Sequence, residues 1–126
     1  MLASALTAAA LTAGGLGVTA SPAAAAEACP TSKLCLYNGT HFYQLTVTSG
    51  HTSTCIYYYK QFGLLSISSY VNNLPVGVRV YTASDAYHYT YEGTISAGGS
   101  SSNAGQFGYR GFTCTGTATP VAPFWP

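Results

Sequence analysis

From Lys33 onward, polar and apolar residues run in short alternating stretches, and no stretch carries apolar residues at helical spacing. Tyr, Thr, Val and Ile fill these runs, residue types that suit a pleated, half-buried surface. The pattern predicts strands over 33–37 (KLCLY), 42–48 (FYQLTVT), 54–59 (TCIYYY), 76–82 (VGVRVYT), 87–95 (YHYTYEGTI) and 105–114 (GQFGYRGFTC), with a seventh possible over 66–71. The clearest alternation is in HYTYEG, where Tyr87, Tyr89 and Tyr91 share one face and His88, Thr90 and Glu92 the other.

Turn chemistry separates the runs. Asn38-Gly39 is a tight-turn signal. TSGHTS is polar and Gly-containing, and AGGSSSNAG is long enough to predict a mobile loop. About six short strands without a helix predict an all-β domain, a sandwich or small Greek-key barrel. After it, TGTATPVAPFWP carries three prolines beyond Thr119 and ends in two aromatics. This tail is expected to lie as a strap over the domain, because Phe and Trp prefer burial.

The first 26 residues differ from the rest. They hold no charge, are rich in Ala, Leu, Thr and Gly, and end in Ala24, Ala25 and Ala26. Small residues there suit signal-peptidase cleavage before Glu27, which predicts export and an extracellular location. The basic opening of a signal peptide is missing, and a start assigned too late accounts for that. A membrane anchor is the competing reading, weakened by Gly14, Gly15, Gly17 and Pro22. The organisation expected is a signal peptide over 1–26, a β domain over 27–114 and a tail over 115–126.

Composition narrows the function. Four Lys and Arg against three Asp and Glu leave a net charge of +1, with no basic run to neutralise phosphates, so a nucleic-acid partner is not expected. No membrane association is expected once the leader is removed. Four cysteines, all beyond residue 26, predict two disulfides in an exported chain, with three pairings possible. The pairing expected is Cys29–Cys35 and Cys55–Cys114. A zinc site is the alternative, but no C-x-x-C knuckle exists.

Catalysis finds little to work with. No G-x-S-x-G motif occurs, and three histidines and one Asp are available. Asp85 and His88 have opposite parity, which puts them on opposite faces if both lie in the strand, and Glu92 is about 13 Å along from His88. His41, His51 and His88 fall on a turn, a loop and a strand, an arrangement that predicts no metal site. No cofactor is expected.

Two weakly similar halves begin LCLYNGTHFYQLTV and VRVYTASDAYHYTYEG. Each resembles the hairpin of a βγ-crystallin Greek key, with Tyr37 and Phe42 matching its aromatics in the first half, and Tyr81 and Tyr87 in the second. Gln44 and Tyr89 stand where the family has glycine. The serine pair that closes such a motif matches Ser68-Ser69, in the stretch LLSISSYVNN. Its neighbouring calcium-ligand positions fall on Leu64 and Leu65, which have no oxygen to offer, so the resemblance implies corner hydrogen-bonders and no calcium.

The pattern CPTSKLCLYNGTHF … SISSYVNN … VRVYTASDAYHY, over about 29–95, is also similar to a secreted actinobacterial peptidase-inhibitor family of crystallin-like fold that blocks thermolysin-like metalloproteinases. That family presents its scissile-like bond in a short disulfide-closed loop in the second half. Here Cys114 has no near neighbour, and the short loop is Cys29–Cys35. The resemblance therefore implies a non-enzymatic inhibitor, with Pro30, Thr31, Ser32, Lys33 and Leu34 as the inhibitory loop, an extracellular protease as partner, and Leu34 as a hydrophobe for the protease. The plainer reading of that loop is a staple. The alternative function is a cell-envelope structural or glycan-binding module that uses Tyr57, Tyr59, Tyr87, Tyr89 and Tyr91. A monomer is expected in either case.

Overall fold

The computed structural model describes residues 26–125. The expected leader, apart from Ala26, therefore lies outside the described residues.

Eight strands and one short helix follow in order: β1 (Leu34–Tyr37), β2 (Leu45–Ser49), β3 (Cys55–Ile56), α1 (Tyr58–Phe62), β4 (Ser69–Asn72), β5 (Val78–Asp85), β6 (His88–Ile95), β7 (Ser100–Ser101) and β8 (Phe112–Thr115). They form two four-stranded antiparallel sheets, ordered β2-β1-β4-β7 and β3-β8-β5-β6. Each half of the chain lends one strand to the other half's sheet: β3 leaves the first and β7 the second. The chain is thus all-β with two disulfides, Cys29–Cys35 and Cys55–Cys114.

Period-two alternation sets the layers. Leu34 and Leu36 of β1 face inward onto Val78 and Val80 of β5, joined by Val47, Ile56, Leu64 and Ile95. Burying each such side chain contributes about 1.5–3 kcal/mol. Both outer sheet faces are covered by a chain end. Over β1, Cys35 is tied to Cys29, and the Tyr37 hydroxyl donates to the Glu27 carbonyl at 2.7 Å. Burial, then the Glu27 carboxylate, raises the Tyr37 pKa. Over the second sheet, Phe124 stacks on Phe112, which stacks on Tyr81, with centroids 4.8 Å apart in both pairs.

Three strand expectations and one loop expectation are corrected. The run 54–59 keeps only two strand residues and then turns into α1, which Gly63 closes at φ 70°. Tyr58 faces inward there, and its hydroxyl donates to the Gly108 carbonyl at 2.5 Å. The run 42–48 begins late because His41, Phe42 and Gln44 all have positive φ and fold the hairpin back. The run 105–114 becomes a strand only at Phe112, after a tight turn. The AGGSSSNAG stretch is no free loop: it supplies β7, and its Ser102 carbonyl accepts from the His41 amide at 2.7 Å.

Candidate functional site

The ring closed by Cys29 and Cys35 is preset by more than its disulfide. Asn73 donates from its side-chain amide to the carbonyls of Cys29 and Pro30 at 3.3 and 3.0 Å, and from its backbone to Lys33 at 2.9 Å. Thr31 and Ser32 form the turn at its tip, with Ser32 at φ 61°. Pro30, Thr31 and Ser32 are exposed, and Lys33 is half-buried with its side chain over Gly50. Leu34 departs from the expectation. It is the first residue of β1, fully buried in the core, and cannot enter a protease subsite without unfolding the strand.

The five tyrosines expected on one face divide into two groups. Tyr87, Tyr89 and Tyr91 are exposed on the β5–β6 hairpin. Tyr89 and Tyr91 set their edges against Tyr81, and Tyr91 shares a 2.6 Å hydrogen bond with Thr94. Tyr57 and Tyr59 flank the start of α1 and lie under the chain end. Tyr57 packs on Phe112 and Phe124 and accepts from the Val121 amide, while Tyr59 meets the edge of Trp125. The helix removes them from the strand alternation that grouped them with the others.

Serine and histidine chemistry stays local. The Ser69 hydroxyl donates to the Gly39 carbonyl at 2.7 Å and accepts from the Phe42 amide at 3.0 Å, so it holds the folded hairpin whose Tyr37 and Phe42 rings meet edge-on at 5.6 Å. Ser68 contributes backbone bonds to Tyr37 and Ala104. In the second half Tyr81 packs against Tyr89 and Tyr91, not Tyr87 as expected.

Asp85 and His88 were expected on opposite faces. They lie instead on two strands, at the end of β5 and the start of β6, facing each other across the turn Ala86-Tyr87 at 2.8 Å. The Tyr87 amide, then the His88 ring, holds the Asp85 pKa below its usual value. Glu92 accepts from the Gly108 amide at 2.6 Å. His41 pairs with Thr40, and the three histidines do not converge. Among the described residues the histidine-ring hydrogen bonds go to Thr40 and Asp85, and none joins a serine hydroxyl to a histidine ring.

Two groups of residues had no place in the sequence pattern. Asn72 and Asn73 end LLSISSYVNN, and both are clamps. Asn72 is fully buried, donates to Val76, Ile95 and Ser96 carbonyls, and accepts from the Leu74 amide. An Asn pair at a strand end signals such local capping. The second group is Arg110, at φ 52°, with its guanidinium 5.4–5.9 Å from the ring centres of Tyr59, Tyr109 and Trp125. No signal in the sequence brings those four together.

No curated protein and no solved structure matches the chain. The sequence model of peptidase inhibitor family I36 matches residues 22–97, more than half of the chain. The chain belongs to peptidase inhibitor family I36.

Proposed function

We propose that the protein is secreted and blocks an extracellular metalloproteinase of the thermolysin-like type as a monomer of crystallin-like Greek-key fold. Family membership makes it a peptidase inhibitor and not an enzyme. The target class, the secretion through residues 1–26 and the division into a β domain (27–114) and a strap (115–126) are our reading. What supports it is rigidity. A peptidase inhibitor offers its target a surface that loses little freedom on docking. The ring Pro30–Leu34, tied by a disulfide and three hydrogen bonds from Asn73, is one such surface, and its exposed part is Pro30 to Ser32.

The test is a titration of the oxidised protein against a thermolysin-like and a subtilisin-like peptidase, following residual activity. Stoichiometric loss of the metalloproteinase activity is expected. Full activity of both at micromolar excess would remove the reading.

A second reading rests on one observation. Tyr87, Tyr89 and Tyr91 stay exposed on β6 and the turn before it, a strand with no Lys or Arg and a surface suited to stacking on the neutral sugar rings of a cell wall. Retention on insoluble cell-wall glycan, lost when the three tyrosines become Ser, is the outcome that reading requires.

A further inference from the structure

The ring hides its one leucine, but a second rigid surface displays one. Between α1 and β4 the chain runs Phe62-Gly63-Leu64-Leu65-Ser66. Leu64 is buried and Leu65 is 43 % exposed, with Phe62 at 52 % and Tyr109 at 38 %. Tyr59 and Phe62 lie three apart on the same helix side, and Tyr109 and Arg110 adjoin through the bond from the Arg110 amide to the Leu65 carbonyl, 2.7 Å. The helix end, the Leu65 segment and the Arg110 turn thus adjoin, and the segment leads into β4 at Ser69, opposite Tyr37 and away from the ring end of β1.

The segment is pinned on both sides of its exposed leucine. The Leu64 amide donates to Tyr58, Leu65 accepts from Arg110, and Ile67 exchanges bonds with Phe107 in both directions. Among the described residues no backbone bond occupies the Leu65 amide. The turn beside it is fixed as firmly. Gly108 accepts from the Tyr58 hydroxyl and donates to Glu92, Thr82 donates to the Tyr109 carbonyl, and Gly111 donates back to Gly108. Burial, then the Glu92 carboxylate, pushes the Tyr58 pKa far up, which keeps its hydroxyl a donor.

Arg110 is the odd group in this surface. Its conformation is left-handed, which a residue other than Gly adopts at a cost of about 1 kcal/mol. Its Nε is buried without a hydrogen-bond partner, and no carboxylate lies within ion-pair range of its guanidinium among the described residues. Three aromatic rings hold the charge in place without neutralising it. Arg79 contrasts with it, since it is bonded to the Tyr81 hydroxyl and to the Gly116 and Ala118 carbonyls. A strained, caged and unpaired cation beside exposed Leu, Phe and Tyr has the composition of a protein-binding hot spot.

We propose that Leu65, flanked by Phe62 and Tyr109, is the side chain that occupies an apolar subsite of the inhibited peptidase, and that Arg110 meets a carboxylate at the rim of that cleft. This rests on the inhibitor reading. It places the apolar contact outside the ring and gives the C-terminal segment a task, because Trp125 closes the cage and donates to the Arg110 carbonyl at 2.9 Å. Leu65 sets which subsite is accepted, and Arg110 sets the preference for an acidic rim.

The experiment titrates a thermolysin-like metalloproteinase with wild type, Leu65→Ser, Arg110→Gln, Arg110→Lys and a control, Thr48→Ala, at an exposed position of β2. Leu65→Ser and Arg110→Gln are each expected to raise the inhibition constant at least tenfold, with Arg110→Lys between them and wild type. Thr48→Ala should stay within threefold. Added salt should weaken wild type and leave Arg110→Gln unmoved. Leu65 is exposed, so Leu65→Ser remains decisive even if a change at Arg110 loosens the turn. Wild-type inhibition that Leu65→Ser retains unchanged overturns this inference and leaves the inhibitor reading standing. A wild type that does not inhibit at all overturns the inhibitor reading and this inference with it.

Discussion

The two ends of the chain do the same mechanical job by different means. Each lies over the outer face of one sheet, but the N-terminal end is fastened covalently and the C-terminal end by aromatic packing. The N-terminal ring turns its apolar residue, Leu34, inward and shows the solvent Pro, Thr and Ser. The C-terminal end buries Phe124 yet leaves Tyr109, Leu65 and an unneutralised Arg110 beside Trp125. Rigidity alone therefore does not mark a contact surface. What a rigid segment exposes decides which of the two carries chemistry for a partner.

The disulfides should separate the two ends most widely. In the loop-closure account the bond Cys55–Cys114, spanning 59 residues, contributes about 4 kcal/mol, and Cys29–Cys35, spanning 6, about 2. Urea unfolding of the two double Cys→Ala variants checks the difference. Equal losses would mean that the unfolded chain retains structure that already holds residues 55 and 114 close.

The two leucines come next. Leu34→Ala should cost about 3 kcal/mol by emptying core space, while Leu65→Ala should stay within about 0.5 kcal/mol. The same pair should reverse in peptidase binding. A smaller effect is expected at the clamp: Asn73→Ala should lower stability by about 1 kcal/mol and speed amide exchange and nicking at Thr31-Ser32. A ring that stays as protected without Asn73 would show that the disulfide suffices.

The smallest effect is electrostatic and belongs to neither end. Because the Asp85 pKa is lowered on folding, its contribution is present above the ordinary carboxylate value and is lost as pH falls through the lowered one. The Tyr87 amide, which donates to Asp85 at 2.8 Å, should report this by NMR as a shift confined to acid pH and absent in Asp85→Asn.

Much of this molecule was legible from residue order. Alternating Val, Leu and Tyr marked β1, β5 and β6, and an even count of four cysteines suggested the two bridges that the structure holds. The misses share a cause. Strand propensity made CIYYYKQF look extended, yet Tyr58 is needed inward to reach Gly108, and the backbone coils to put it there. Parity failed for Asp85 and His88 because the turn Ala86-Tyr87 separates them onto paired strands, where they face each other. Gln44, in place of a family glycine, still takes φ 60°, since the folded hairpin imposes that conformation. The Arg110 patch was invisible because it joins α1, a glycine turn and the chain end, which have no pattern in common.

Hydrogen exchange of the oxidised protein, free and mixed with an excess of a thermolysin-like metalloproteinase, tests the central claim most directly. Slowed exchange over Phe62–Ser66 and Tyr109–Arg110 in the mixture, with the β6 hairpin unchanged, is the predicted result. Protection confined to the β6 hairpin, or none anywhere at stoichiometric excess, would contradict it.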